Sequence, residues 1–96
     1  MPGRRRCRRV GQKPAFTAFG PPVISGKVQE EAILSIDEFE AVRLKDLEGL
    51  DQSECAVMMD ISQPTFHRLV ISARRKIADA LTHGKTIKIQ GGHYRL

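Results

Sequence analysis

The stretch DISQPTFHRLV, residues 60–70, decides the fold because it joins two predicted helices through a tight turn. Ser62 is a natural N-cap, since its hydroxyl can accept a hydrogen bond from a backbone N–H of the first helical turn. Counted from Ser62, Pro64 is the second helical residue, where a missing N–H breaks no intrahelical hydrogen bond. Pro64 is therefore expected to start a helix rather than to break one.

Capping boxes predict two more helices upstream of this stretch. Ser35 with Glu38 opens the first helix, which Gly49 ends, and an acidic box opens a short second helix through Met59. The second box is Asp51-Gln52-Ser53-Glu54. Helical spacing predicts the apolar stripe of the first helix at Ile36, Phe39, Val42 or Arg43, and Leu47, with Ala41 and Leu44 nearby.

The third helix is predicted to run from its cap at Ser62 to a C-cap at Gly84. Its apolar residues recur at helical spacing, which predicts one face packed on a core. The members of this stripe are Phe66, Leu69, Val70, Ala73, Ile77 and Leu81.

Short alternating stretches flank the helices. AFTAF (residues 15–19) and KTIKIQ (residues 85–90) are typical of short strands, and they could pair as a small sheet within one chain or across two. The predicted fold is mainly α: a three-helix helix-turn-helix domain with a basic N-terminal arm and short flanking β-strands. The predicted segments are a flexible arm (1–13), an extended segment (14–34), the helix-turn-helix domain (35–84) and a strand with a tail (85–96).

The charge of the chain is unevenly distributed. The net charge is +5, and residues 1–13 carry six basic residues and no acid. Nine of the eleven acidic residues fall within residues 30–54, and the chain turns basic again from Thr65 onward. Two basic segments around an acidic middle favour a polyanionic partner such as nucleic acid.

Composition places the chain in the cytoplasm. No apolar segment follows the N-terminal arginines, as a secretory signal would require, and no apolar run approaches the length of a membrane span. Cys7 and Cys55 form no CxxC pair, so they are expected to be reduced thiols. The three histidines share no metal-ligand spacing with either cysteine, and no nucleophile–base pair is visible. We therefore expect no metal, no cofactor and no enzymatic activity.

The second and third helices, separated by Asp60-Ile61-Ser62, fit a helix-turn-helix. The small Ala56 falls where the two helices approach closely. Asp60 occupies a position where glycine is usual because the backbone turns left-handed, a conformation that Asp tolerates better than most residues. The buried positions of the motif fall on apolar residues, namely Cys55, Met59, Ile61, Phe66 and Leu69.

The second helix of such a motif lies in the DNA major groove and reads base edges from its N-terminal turns. The candidate base-reading residues are Gln63, Thr65, His67 and Arg68, because Gln can pair with adenine, Arg with guanine, and Thr with either a polar edge or a thymine methyl. The candidate contacts to the DNA backbone are Arg4, Arg5, Arg6, Arg8, Arg9, Ser62, Ser72, Arg74, Arg75 and Lys76. The basic arm could lie in a minor groove or along the phosphates.

The runs DEFEAVRLKDLEGL and SQPTFHRLV, with the opening RRRCRRV, resemble a prokaryotic family of short, uncharacterised proteins predicted to bind DNA. The resemblance spans nearly the whole chain. The family's helix-turn-helix is similar to region four of bacterial sigma factors, which implies DNA binding and transcriptional regulation. Aligned on region four, the base-reading positions fall on Gln63, Pro64, Thr65, His67 and Arg68. Region four is richer in Arg there, so its target sequence does not carry over.

The main expectation is a sequence-specific regulator of double-stranded DNA that acts as a homodimer. The alternative is a sigma-like adaptor whose acidic first helix contacts polymerase or another regulator. RNA binding has less support, because no stacking aromatic residues are interleaved with the basic ones.

Overall fold

The computed structural model describes residues 7–96, and the predicted start of each helix is confirmed. The three helices are α1 (Ile36–Val42), α2 (Gln52–Met59) and α3 (Gln63–His83), capped in turn by Ser35, Asp51 and Ser62. Both predicted capping boxes form, and Pro64 lies in the first turn of α3. Gly84 ends α3 with φ of 68°, a left-handed conformation that glycine adopts at little cost.

The turn between α2 and α3 consists of Asp60-Ile61-Ser62. Asp60 has φ of 57° and ψ of 47°, the left-handed conformation that its position predicts. The N–H of Ile61 donates to the carbonyl of Ala56 at 3.0 Å, which fastens the turn to the end of α2. The buried Ala56 lets the two helices approach closely, so α3 begins at a fixed angle to α2.

A π-helical turn, Arg43–Leu47, extends α1 and changes which side chains face the core. The N–H of Glu48 donates to the carbonyl of Arg43 at 2.9 Å, an i to i+5 hydrogen bond. The wider turn places Leu44 inside and leaves Leu47 77 % exposed. Leu47 lies on the same side as Phe39 and Val42, as the predicted stripe requires, but it is not packed into the core.

A three-stranded sheet joins the two ends of the helical segment. Its strand order is β2 (Ala18–Phe19), β4 (Thr86–Ile89) and β3 (Glu31–Leu34). The antiparallel pairing of β2 with β4 confirms the predicted sheet within one chain. The sequence did not predict β3, which runs parallel to β4 and buries Ala32 and Leu34.

The N-terminal segment from Arg8 to Val10 is packed on the domain. β1 (Arg8–Arg9) pairs in parallel with β5 (Tyr94–Arg95), and Val10 is fully buried. For these residues the expectation of a flexible arm is wrong, because the C-terminal strand supplies hydrogen-bond partners and the core accepts the valine. Gly92 lies so close to the Asp37 carboxylate that a Cβ there would collide with it, and its φ of 99° also requires glycine.

The core lies between the three helices and the sheet. Phe66 and Val70 of α3 pack with buried residues of α1 and α2, and Ala73 packs with Leu34 and Ile89 near the sheet. Leu81, predicted as the last member of the α3 stripe, is 79 % exposed, because none of the described elements covers the last turn on that side. Within residues 7–96, no helix combines the length and the apolar character needed to cross a bilayer.

Candidate nucleic-acid interface

The first turn of α3 orders three of its polar side chains through one chain of hydrogen bonds. Ser62 Oγ accepts from the backbone N–H of Thr65 at 3.3 Å and donates to Thr65 Oγ1 at 2.9 Å. Arg68 Nη2 also donates to Thr65 Oγ1, at 3.2 Å. Arg68 is exposed and forms no ion pair with the described residues, so it carries a positive charge that no neighbouring acid neutralises.

Gln63 and His67 lie beside this chain on the same end of α3. Both side chains are exposed, and within residues 7–96 neither makes a hydrogen bond. The backbone carbonyl of Gln63 accepts from Gln52 Nε2 at 3.4 Å, which ties the start of α3 to the start of α2. The four predicted base-reading residues therefore come together at the N-terminal end of α3.

An open groove of about 700 Å³ follows the outer side of α3 from His67 to Asp79. It is lined only by residues of α3, so it is the free flank of a helix rather than an enclosed pocket. Arg75 in this groove is exposed and makes no ion pair with the described residues. Ile71 lies between Arg68 and Arg75 and is 38 % exposed. The sequence analysis missed Ile71, although its place one turn from each arginine could have identified it.

A buried acid of α1 holds Ser72 and Lys76. Both residues were predicted to contact the DNA backbone. Ser72 Oγ and Lys76 Nζ both donate to the carboxylate of Glu38, the latter at 2.7 Å. Burial raises the pKa of Glu38, but the hydrogen bonds from Lys76, Ser72 and Ser35 outweigh burial and hold this pKa below its usual value. Ser72 and Lys76 therefore join α3 to α1, and neither is free in the way that Arg68 is.

Arg74 is likewise engaged inside the molecule. Its Nε and Nη2 donate to the two carboxylate oxygens of Asp46 at 3.0 and 2.6 Å. This two-point contact lowers the pKa of Asp46 and raises that of Arg74. Arg74 and Arg75 are neighbours in sequence, but only Arg75 faces the groove.

The described part of the basic arm lies beside the first turns of α3. Arg8 lines a depression of about 360 Å³ together with Thr65 and Arg68. The side chain of Arg8 is only 15 % exposed, and its Nε lies 3.8 Å from Asp37 Oδ2. Arg8 was predicted to contact DNA phosphates, but here it is paired within the fold. Arg9 is exposed. Arg4, Arg5 and Arg6 lie outside the described residues.

One carboxylate marks the far end of the groove. Asp79 accepts from Lys85 Nζ at 2.9 Å and lies 2.7 Å from His83 Nδ1, and the hydrogen bond from Lys85 lowers its pKa most. The unneutralised positive charge of α3 is therefore concentrated from Arg68 to Arg75, before the last two turns of the helix.

The acids of α1 do not form an acidic surface. Asp37, Glu38 and Glu40 are at most 5 % exposed. Glu40 accepts from Arg43 Nε at 2.8 Å and from the N–H of Gly11 at 2.9 Å. The alternative adaptor function relied on an acidic first helix as its contact surface, and these three carboxylates are not available for one.

The cysteines and histidines occupy separate places. Cys55 is buried, and burial raises the pKa of its thiol, whereas Cys7 is exposed at the start of the described chain. Across residues 7–96, no three His, Cys, Asp or Glu residues are grouped so that they could hold a metal ion.

Comparison with protein families gives a match over residues 1–96 to a family described as "Protein of unknown function DUF134". The chain belongs to the DUF134 family. This membership confirms the predicted resemblance to a family of uncharacterised proteins. No solved structure gives a significant match to this DUF134 chain.

Relatives that match this DUF134 chain are named only as UPF0251 proteins. The UPF0251 protein of Thermoanaerobacter pseudethanolicus is 51 % identical over 96 residues, covering 100 % of this chain and 81 % of the relative. That of Caldanaerobacter subterraneus is 52 % identical, with the same coverage of both chains. That of Prosthecochloris aestuarii is 53 % identical over 88 residues, which is 92 % of this chain and 57 % of the relative.

Proposed function

We propose that this DUF134 chain binds double-stranded DNA in a sequence-specific manner and regulates transcription. In this proposal, α2 and α3 act as a helix-turn-helix similar to sigma-factor region four, and α3 enters the major groove. The observation that carries the proposal is the contrast within α3 itself. Arg68 and Arg75 face outward without acidic partners among residues 7–96, while Arg74 and Lys76 are paired with acids of the α1 region.

The first turn supplies the chemistry of base recognition. Gln63 offers an amide that can pair with adenine, and Arg68 offers a guanidinium that can donate to guanine. Thr65 already accepts from Ser62 and Arg68, and its remaining proton can be donated to a base. Because Thr65 restrains Arg68, less side-chain freedom is lost when that arginine meets a base.

Phosphate contacts would come from a smaller set than the sequence suggested. Among the described residues, Arg75 and Arg9 are exposed and remain available. Pro64 has no N–H and the N–H of Thr65 donates to Ser62 Oγ, so the N–H of Gln63 is the one left at the start of α3 to meet a phosphate. Ile71 would lie between the two outward arginines, where it can contact a thymine methyl.

In vitro selection from a random DNA pool tests this function. We expect the full chain to enrich one motif, and Arg68→Ala to bind that motif about 10- to 100-fold more weakly, the usual cost of losing one bidentate base contact. Arg74→Ala is the matched control, because it removes the same charge from a side chain that pairs with Asp46. A folded protein that enriches no motif would refute sequence-specific binding, and equal losses in the two variants would refute base reading by Arg68.

A further inference from the structure

An apolar strip runs along the side of the molecule where the sheet meets α1 and α3. Its side chains line an open groove of about 330 Å³. The strip consists of Phe19, Phe39, Val42, Leu47, Ile77 and Ile87. Leu81 lies one turn after Ile77 on the same side of α3 and extends the strip.

The exposure of this strip is unusual for side chains of this size. Leu47 is 77 % exposed, Leu81 79 % and Phe19 50 %. The π-helical turn presents Leu47, since regular α-helical spacing would have turned it toward the core. Phe19 is held in place by the pairing of β2 with β4, where it lies opposite Ile87. The strip is therefore built by regular elements and does not belong to a loose loop.

The size of the strip fits the centre of a small dimer interface. With up to about 200 Å² for each large apolar side chain, Phe19, Leu47 and Leu81 together expose on the order of 400 Å². A standard interface buries about 800 Å² on each partner, and about two-thirds of a homodimer interface is apolar. The area of the strip and its polar rim therefore approaches the area that each copy must bury in a dimer.

The rim of the strip carries no excess of positive charge. Arg74 is paired with Asp46, and Arg43 lies between Glu40 and Glu48, at 2.8 and 3.5 Å. A chain with a net charge of +5 repels its own copies over most of its surface. Two arginines meet three carboxylates on this side, so a second copy can approach without that repulsion between positive charges.

The strip also lies away from the basic side of α3. Arg75 and Ile77 are two residues apart, which places them about 200° apart around the helix axis. A partner seated on Ile77 and Leu81 would leave Arg68, Ile71 and Arg75 uncovered. We propose that a second copy of this chain docks on the apolar strip, forming a two-fold homodimer whose outward α3 faces stay exposed.

Sedimentation equilibrium of the full chain over a wide concentration range tests the dimer. We expect the wild type to be dimeric, and Leu47→Glu to raise the dimer dissociation constant about 100-fold or more, because a charge is placed in an apolar interface. Leu81→Glu should act in the same direction. Val57→Glu is the matched control, since Val57 is also 77 % exposed but lies on α2, outside the strip.

The outcomes are distinct. A wild type that stays monomeric, or a Val57→Glu variant that dissociates as far as Leu47→Glu, would overturn the proposal. A monomeric wild type that binds the apolar dye anilinonaphthalene sulfonate, and loses that binding in Leu47→Glu, would overturn it in favour of a small apolar ligand. Arg68→Ala should remain dimeric, so a dimer that binds no DNA refutes the proposed function alone, and a DNA-binding monomer refutes the dimer alone.

Discussion

The acids of α1 and the outward side of α3 use charge in opposite ways. Asp37, Glu38 and Glu40 are buried, and each lies beside a basic side chain. Arg68 and Arg75 are exposed, and no described acid pairs with them. A charged residue in this domain is therefore either part of the fold or available for binding, and its partners decide which.

The largest expected effect is the loss of Glu38, because this carboxylate holds α1 against α3. Glu38→Ala would leave Ser72, Lys76 and the N–H of Ser35 without their acceptor. We expect the free energy of unfolding to fall by about 2–3 kcal/mol, measured by urea denaturation. Glu48→Ala is the control, since its exposed carboxylate lies 3.5 Å from Arg43 and should contribute at most about 0.5 kcal/mol. Equal losses would contradict the distinction between the two regions.

Low pH should lower the stability of the fold without removing the positive charge of Arg68 and Arg75. The folded-state pKa values of Glu38, Asp46 and Asp79 lie below their usual values. Their contribution to stability is complete above the unfolded-state pKa, about 4, and is lost as the pH falls through the lower folded-state values. Urea midpoints measured between pH 7 and pH 2.5 should fall in this window. Glu38→Gln should flatten the dependence, and an unchanged profile would mean that this carboxylate does not contribute.

The smallest expected effect separates two adjacent basic residues by the salt dependence of DNA binding. Arg75→Ala should reduce the slope of log affinity against log salt by about one, because one phosphate contact no longer releases its counterion. Lys76→Ala should leave the slope nearly unchanged but lower the stability, since its ammonium group is bound to Glu38. If Lys76→Ala reduced the slope and Arg75→Ala did not, Lys76 rather than Arg75 would be the residue that contacts the phosphate.

Local signals in the sequence predicted much of the helical fold. The caps at Ser35, Asp51 and Ser62 and the left-handed Asp60 depend on neighbours a few residues away, and all were confirmed. β3 was missed because its four residues gain a partner only when Thr86–Ile89 is brought alongside. The exposure of Leu47 was missed for another reason, since a single π-helical turn changes the side-chain spacing with no clear signature in the sequence.

The sequence predicted where the candidate site lies on α3, but it did not predict which basic side chains are free to take part in it. The register from Ser62 placed Gln63, Thr65, His67 and Arg68 at the leading end of α3, and the structure brings them together there. Helical spacing turns Arg75 away from Phe66, but it does not show whether Arg74 and Lys76 are paired. Their acidic partners, Asp46 and Glu38, are 28 and 38 residues away in sequence, so only the packed structure separates paired from available side chains.

The parallel pairing of β3 with β4 has a consequence for how the chain folds. The two strands stand immediately before α1 and after α3, so their hydrogen bonds close a loop that contains all three helices. The helices can form from contacts between near neighbours, whereas the sheet must wait until residues more than fifty positions apart meet. We expect the sheet to be the last element to acquire protection from hydrogen exchange during refolding. Its parallel strands would pair only after the helices between them have formed.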